Sequence, residues 1–135
     1  MVARLSGVGL ATGIVARDAT RLVGFYRDFL GLEVVREIDT ATGAHITFFG
    51  VGGAFLKVFD PPEPPPSANP SGGLAGASGL RYVTIEVLDV AGAIEGVDAA
   101  GGRVSVPMRP YGDGFLAMIE DPEGNTIELI QRQPG

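Results

Sequence analysis

Hydrophobic and polar positions change period along this chain in an order that occurs twice. Residues 8–17 (VGLATGIVAR) and 80–88 (LRYVTIEVL) alternate, as a strand with one buried face does. Each run leads to an aspartate, Asp18 or Asp89, whose carboxylate can accept from the orphan amides of a first helical turn. The period then becomes helical. In ATRLVGFYRDFL (19–30), Leu22, Phe25, Tyr26 and Phe29 share one face, and Gly31 is the stop. In AGAIEGVDAA (91–100), Ile94 and Val97 point inward, and Gly101 and Gly102 end the helix. This second helix is weaker, since Gly92 and Gly96 each cost about 1 kcal/mol against alanine. Three short strands follow each helix: 32–38, 45–49 and 54–59, then 103–107, 115–120 and 125–130. Turn-forming FGVGGA and EDPEGN separate the last two strands of each set. The predicted order is βαβββ, twice.

A stretch of different composition divides the two sets. Residues 61–78 (PPEPPPSANPSGGLAGAS) hold six of the ten prolines, which marks a linker or long surface loop. On either side the chain matches itself at a constant offset of 71. TGIVARD (12–18) lies over VTIEVLD (83–89) and AFLKVF (54–59) over NTIELI (125–130), with no internal insertion expected. The predicted organisation is one domain, 1–135, built from module 1 (7–60) and module 2 (79–132). Repetition of this length indicates paired half-domains; a solenoid needs several shorter units.

Composition narrows the function classes. A chain of 135 residues can bury a core without staples, and it has no cysteine for a disulfide, a thiolate metal ligand or a thiol nucleophile. The net charge of −6 disfavours binding to nucleic acid or to an anionic membrane surface. No apolar run approaches a membrane span and the first residues lack a signal-peptide core, so a cytoplasmic protein is expected. Neither GVGL (7–10) nor GVGG (50–53) opens a helix as a phosphate loop would. Nine of the ten basic residues are arginine; the exception is Lys57.

RDATRLVGFYRDFLGLEVV and EDPEGNTIELIQ, in register with paired βαβββ units, resemble the first helix and closing hairpin of the vicinal oxygen chelate superfamily. That superfamily includes glyoxalase I, bleomycin resistance proteins, methylmalonyl-CoA epimerase and extradiol dioxygenases. The resemblance implies an α+β fold of two tandem βαβββ modules, whose U-shaped mixed sheet curls around a cavity. It also implies four inward positions, which hold His, Gln or Glu in metal-dependent members. Counted from the family's motifs they fall on Ala11, Lys57, Tyr82 and Glu128. Only Glu128 is a usual ligand, alanine has no donor and an ammonium repels a cation, so no metal or other cofactor is expected.

Strand parity places Phe55 and Phe59 beside Lys57, and Glu86 beside Tyr82, on the cavity side. Arg109 and Tyr111, in the predicted loop MRPYGDG, lie where the family contacts ligands. An apolar, aromatic pocket with few polar groups suits a small molecule. The leading expectation is therefore a metal-free binding protein for a largely apolar ligand. Two alternatives stand beside it. One is a metal-independent isomerase, lyase or cyclase in which Lys57 and Glu128 are the catalytic acid/base pair. The other is a metal-dependent lyase or dioxygenase. Lys57 and Glu128 could equally form a structural ion pair. His45, the one imidazole, is either a general base or an edge-strand residue, on the same face as Thr47 and Phe49. The short two-module chain predicts a homodimer, as is common in the family.

Overall fold

A computed structural model describes residues 2–7 and 9–133. Module one contains β1 (Ala11–Val15), α1 (Ala19–Gly24), β2 (Glu33–Asp39), β3 (His45–Val51) and β4 (Ala54–Asp60). Module two contains β5 (Tyr82–Glu86), α2 (Val90–Ile94), β6 (Arg103–Tyr111), β7 (Gly114–Glu120) and β8 (Thr126–Gln131). The strands form two four-stranded mixed sheets, ordered β1-β4-β3-β2 and β5-β8-β7-β6. In each, the first and last strands of the module run parallel and the other neighbours antiparallel. The α+β fold of two tandem βαβββ modules is thus as expected, with the mixed sheet divided into two rather than continuous.

Both predicted aspartate caps form. Asp18 Oδ1 accepts from the Arg21 amide at 3.2 Å, and Asp89 Oδ1 from the Gly92 amide at 3.1 Å. The helices differ from expectation. The first is α-helical only to Gly24 and continues as a π-helical segment, Phe25–Phe29, where the Leu30 amide reaches back to the Phe25 carbonyl. The second stops at Ile94 instead of running to residue 100. Glu95 is extended and Gly96 takes φ +82°, a left-handed conformation that glycine adopts without a Cβ penalty. Val97 still reaches the core, from a turn rather than a helix.

The strands also depart from the predicted bounds. β1 and β5 are shorter than their alternating runs, while β6 extends to Tyr111. The offset of 71 carries β1 onto β5 and Lys57 onto Glu128. It fails by one residue at the third strand, where Phe48 lies opposite Lys57 but Met118 lies opposite Glu128. The cause is the closing turn: Gly52 and Gly53 suffice between β3 and β4, whereas five residues, 121–125, join β7 to β8.

One hydrophobic core serves both modules. Leu22, Phe25, Tyr26, Leu56 and Val58 from the first cluster with Val90, Val97, Ile119, Ile127 and Leu129 from the second. The longer turn of module two reaches across to the first helix. Glu123 accepts from the amides of Arg17 and Asp18 at 2.8 and 2.9 Å, and buried Asp121 accepts from the Tyr26 hydroxyl at 2.6 Å. The linker lies along module two. Arg81 donates to the carbonyls of Gly73 and Leu74, and Asn69 donates to the Glu123 carbonyl.

Phe25 is 2% exposed and its ring lies 5.1 Å from that of Phe29 and 5.4 Å from that of Tyr26. Phe25→Ala is expected to lower unfolding free energy by about 3–5 kcal/mol, through lost burial plus the residual cavity. Urea denaturation checks this; an unchanged midpoint would contradict the helix packing.

Candidate functional site

Alternation along the parallel strand pairs separates a helix-side face from an open front face. On β4, Leu56 and Val58 are buried in the core, so Phe55, Lys57 and Phe59 project forward. Their neighbours on β1 are Ala11, Gly13 and Val15. On β8, Ile127 and Leu129 are buried, and Thr126, Glu128 and Ile130 face forward beside Tyr82, Thr84 and Glu86. All four positions implied by the family resemblance therefore lie on this face. It is open: Phe55 is 44% and Tyr82 53% exposed.

Edge strands β1 and β5 flank a seam between the two sheets, and both line the cavities that open in it. Gly13, Val15, Tyr26, Arg81, Tyr82 and Thr126 are among the residues that line one. Thr12, Phe55, Val83 and Thr84 are among those that line another. Of the predicted site residues, Tyr82 borders the first and Phe55 the second. Ala11, Lys57, Phe59, Glu86 and Glu128 border neither cavity but lie on the strands nearest the seam, whereas Arg109 and Tyr111 lie on β6, at the far edge of module two's sheet.

Lys57 and Glu128 occupy matching places, opposite Gly13 and Thr84 in their strand pairs, but their head groups have separate partners. The Lys57 ammonium lies 5.2 Å from the centre of the Phe48 ring. Glu128 Oε1 accepts from the Thr84 hydroxyl at 2.8 Å. Among the described residues the ion pairs are Arg27–Asp28, His45–Glu37, His45–Asp39, Arg103–Glu120 and Arg132–Glu86, so Lys57 and Glu128 do not form one. Glu86 is held by Arg132 at 3.1 Å. Arg109 and Tyr111 sit on a strand and not in a loop. Arg109 is opposite Leu116, and Tyr111 opposite Gly114 at the hairpin end.

Two residues that sequence parity passed over complete module one's part of the face. Phe48 pairs with Lys57 across β3–β4 and makes an edge contact with Phe55, ring centres 6.0 Å apart. Arg36 pairs with Phe48 across β2–β3, and its guanidinium lies 5.5 Å from the same ring. A bulge places it there. Val34 is opposite Phe49 and Arg36 is opposite Phe48, so Val35 is the extra residue that re-aims the strand. Straight alternation would have sent Arg36 to the helix side, and nothing in EVVREID announces the bulge.

His45 belongs to the other face. It shares a parity with buried Thr47 and Phe49 at the mouth of the β2–β3 hairpin. Its ring is bonded at both nitrogens, Nδ1 to Asp39 at 2.8 Å and Nε2 to Glu37 at 3.0 Å. Donation to these carboxylates raises its pKa above the ordinary 6.5, the bond to Asp39 more than that to Glu37. An imidazole clamped between two acids on the helix side is a hairpin tie, and it is not on the face that holds Lys57 and Glu128.

The donor set on the front face does not suit a metal ion. Ala11 has no donor, Lys57 is cationic, and Glu128 is the one carboxylate among the four. Among the described residues no group of three or more His, Asp or Glu side chains is arranged to hold one. Among the described residues no helix is long and apolar enough to cross a membrane.

Residues 9–129 match the family model of the Glyoxalase/Bleomycin resistance protein/Dioxygenase superfamily. The chain belongs to this superfamily. Among solved structures it resembles a glyoxalase family protein from Bacillus cereus, at TM-score 0.82 and 17% identity over 99% of both chains. It also resembles one from Enterococcus faecalis, at TM-score 0.64 and 25% identity over 91% of this chain and 94% of that one. Among curated proteins, an Arabidopsis thaliana lactoylglutathione lyase is 39% identical over 59 residues, 42% of this chain and 21% of the relative. The chain spans less than half the length of the curated relatives it matches.

The hairpin tie gives a pH dependence of known sign. A raised folded pKa means that the charged imidazole stabilises the fold fully below 6.5, and that this contribution is lost as pH rises through the folded value. The single histidine gives one imidazole NMR titration, expected above 6.5. In Asp39→Asn it should move back toward 6.5; a midpoint unmoved by that change would remove the tie.

Proposed function

We propose that this superfamily member is a metal-free small-molecule binding protein, working in the cytoplasm, whose ligand is largely apolar and sits on the front face. The observation that supports it is the substitution of chemistry at the four inward positions. Where metal-dependent relatives need several donors, this chain places Lys57 over the ring of Phe48, beside Phe55. Exposed Phe55 and Tyr82 offer flat apolar area beside the seam cavities, and Glu128 with Thr84 supplies a polar point for orientation.

The test uses protein dialysed against a chelator and titrated calorimetrically with neutral naphthalene-type probes. Binding is expected without metal, and Phe48→Ala or Phe55→Ala should weaken it about fivefold or more, the scale of a lost aromatic contact. Binding that appears only after addition of a divalent ion would overturn the proposal, as would one equivalent of zinc or nickel retained per chain.

The same reading takes the protein as a homodimer. Leu80 and Leu88 are almost fully exposed, and Met108 and Tyr111 stand out from the edge strand β6. Burial of such side chains in a two-fold assembly is the common arrangement for soluble oligomers. Sedimentation equilibrium at micromolar concentration should report twice the 14.0 kDa chain mass; a species of single chain mass would count against it.

A further inference from the structure

We infer that the front face selects an organic anion: a small molecule with a flat apolar body and a carboxylate, the carboxylate held between Lys57 and Arg36. This rests on the binding reading above and adds the chemical class of the ligand.

The argument begins with what the two cations lack. Neither Lys57 nor Arg36 has an acidic partner among the described residues, although the chain carries six more acidic than basic side chains. Of the other described arginines whose ladder positions lie on this face, Arg103 is paired with Glu120 and Arg132 with Glu86, while Arg109, opposite Leu116 on β6, has no acidic partner among the described residues and stands alone. Among the described residues, only over Phe48 do two positive heads converge on one ring, at 5.2 and 5.5 Å from its centre. A ring face attracts each cation, but the two repel one another. An anion bridging them removes that repulsion and gains charge-assisted hydrogen bonds from an ammonium and a planar guanidinium fork.

The geometry fixes the rest of the ligand. Phe48 and Phe55 meet edge to face, so a flat body laid against Phe55 keeps its acidic end toward Phe48. Phe55 also borders a seam cavity with Thr84, whose hydroxyl is committed to Glu128. Beside the seam, the face thus carries Lys57 with Arg36 behind it on module one, and Glu128 on module two. A carboxylate is drawn to the first and repelled from the second, which sets one orientation. A cationic ligand would meet the two unpaired cations, and a neutral one would leave them unbridged. The Val35 bulge has a use in this arrangement, because it alone turns Arg36 to the side of Lys57.

The experiment is calorimetric titration of the full chain with three matched probes, 2-naphthoate, 2-naphthamide and 2-naphthylmethylamine, at low and moderate salt. The carboxylate is expected to bind at least about tenfold more tightly than the amide, the scale of one charge-assisted hydrogen bond, and the amine more weakly than either. Its advantage should shrink with added salt. Lys57→Met and Arg36→Met should each reduce the preference for carboxylate over amide and together abolish it, and Lys57→Arg should retain it. Circular dichroism of each variant establishes that it is folded. Equal binding of carboxylate and amide would overturn this inference and leave the apolar-ligand reading standing. So would a preference that survives Arg36→Met with Lys57→Met. Failure of all three probes to bind would overturn the binding reading and this inference with it.

Discussion

A buried carboxylate holds the two halves of this molecule in one arrangement. Asp121, 3% exposed, accepts from the Tyr26 hydroxyl, the amides of Glu123 and Asn125, and the Asn125 side chain. Burial raises its pKa, while these donors pull in the opposite direction. Burial, followed by the adjacent Asp121 charge, likewise pushes the Tyr26 phenol well up, so the phenol keeps its proton and donates it. Removing a partner from such a site leaves a buried polar group unsatisfied, which costs more than the bond itself contributes. The aspartate belongs to the turn of one module and the tyrosine to the helix of the other, so the bond fixes how the sheets stand to each other.

What the bond fixes is the seam. With the β7–β8 turn docked at the start of the first helix, Glu123 caps two amides of the β1–α1 connection and Tyr26 reaches the cavity wall between β1 and β5. The front residues of both modules then border one surface. Lys57 and Glu128 come from strands 71 residues apart in sequence, yet both lie next to the strands that form the seam.

Most of the fold was legible because its signals are local. The capping aspartates, the alternation on β4 and β8, and the turn formers of EDPEGN each depend on a few neighbouring residues. What escaped depends on tertiary context. The π-helical turn at Phe25–Phe29 has no sequence signature in a segment that reads as ordinary helix. The early end of α2 turns on the backbone of Gly96, a residue that in sequence reads equally as a tolerated helix glycine and as a terminator. Candidate site positions on β1, β4, β5 and β8 are legible because their parity is unbroken. Arg36 and Phe48 are not, because one sits beyond a bulge and the other on a strand for which the family pattern assigns no role. The facing of His45 likewise depends on tertiary context, because it is the buried ring of Phe49 that marks the inner side of β3.

The bulge at Val35 separates two kinds of change that strands usually couple. Arg36 is exposed and makes no hydrogen bond among the described contacts, while the turn of the backbone that presents it is set by the β2–β3 ladder. Position 36 is therefore free to exchange one head group for another with little penalty to the fold. Val35, against Gly50, is not: a Cβ added at Gly50 would lie 3.1 Å from its side chain. Drift at a single outward residue could re-address this surface from one class of molecule to another, while the scaffold beneath it stayed as it is.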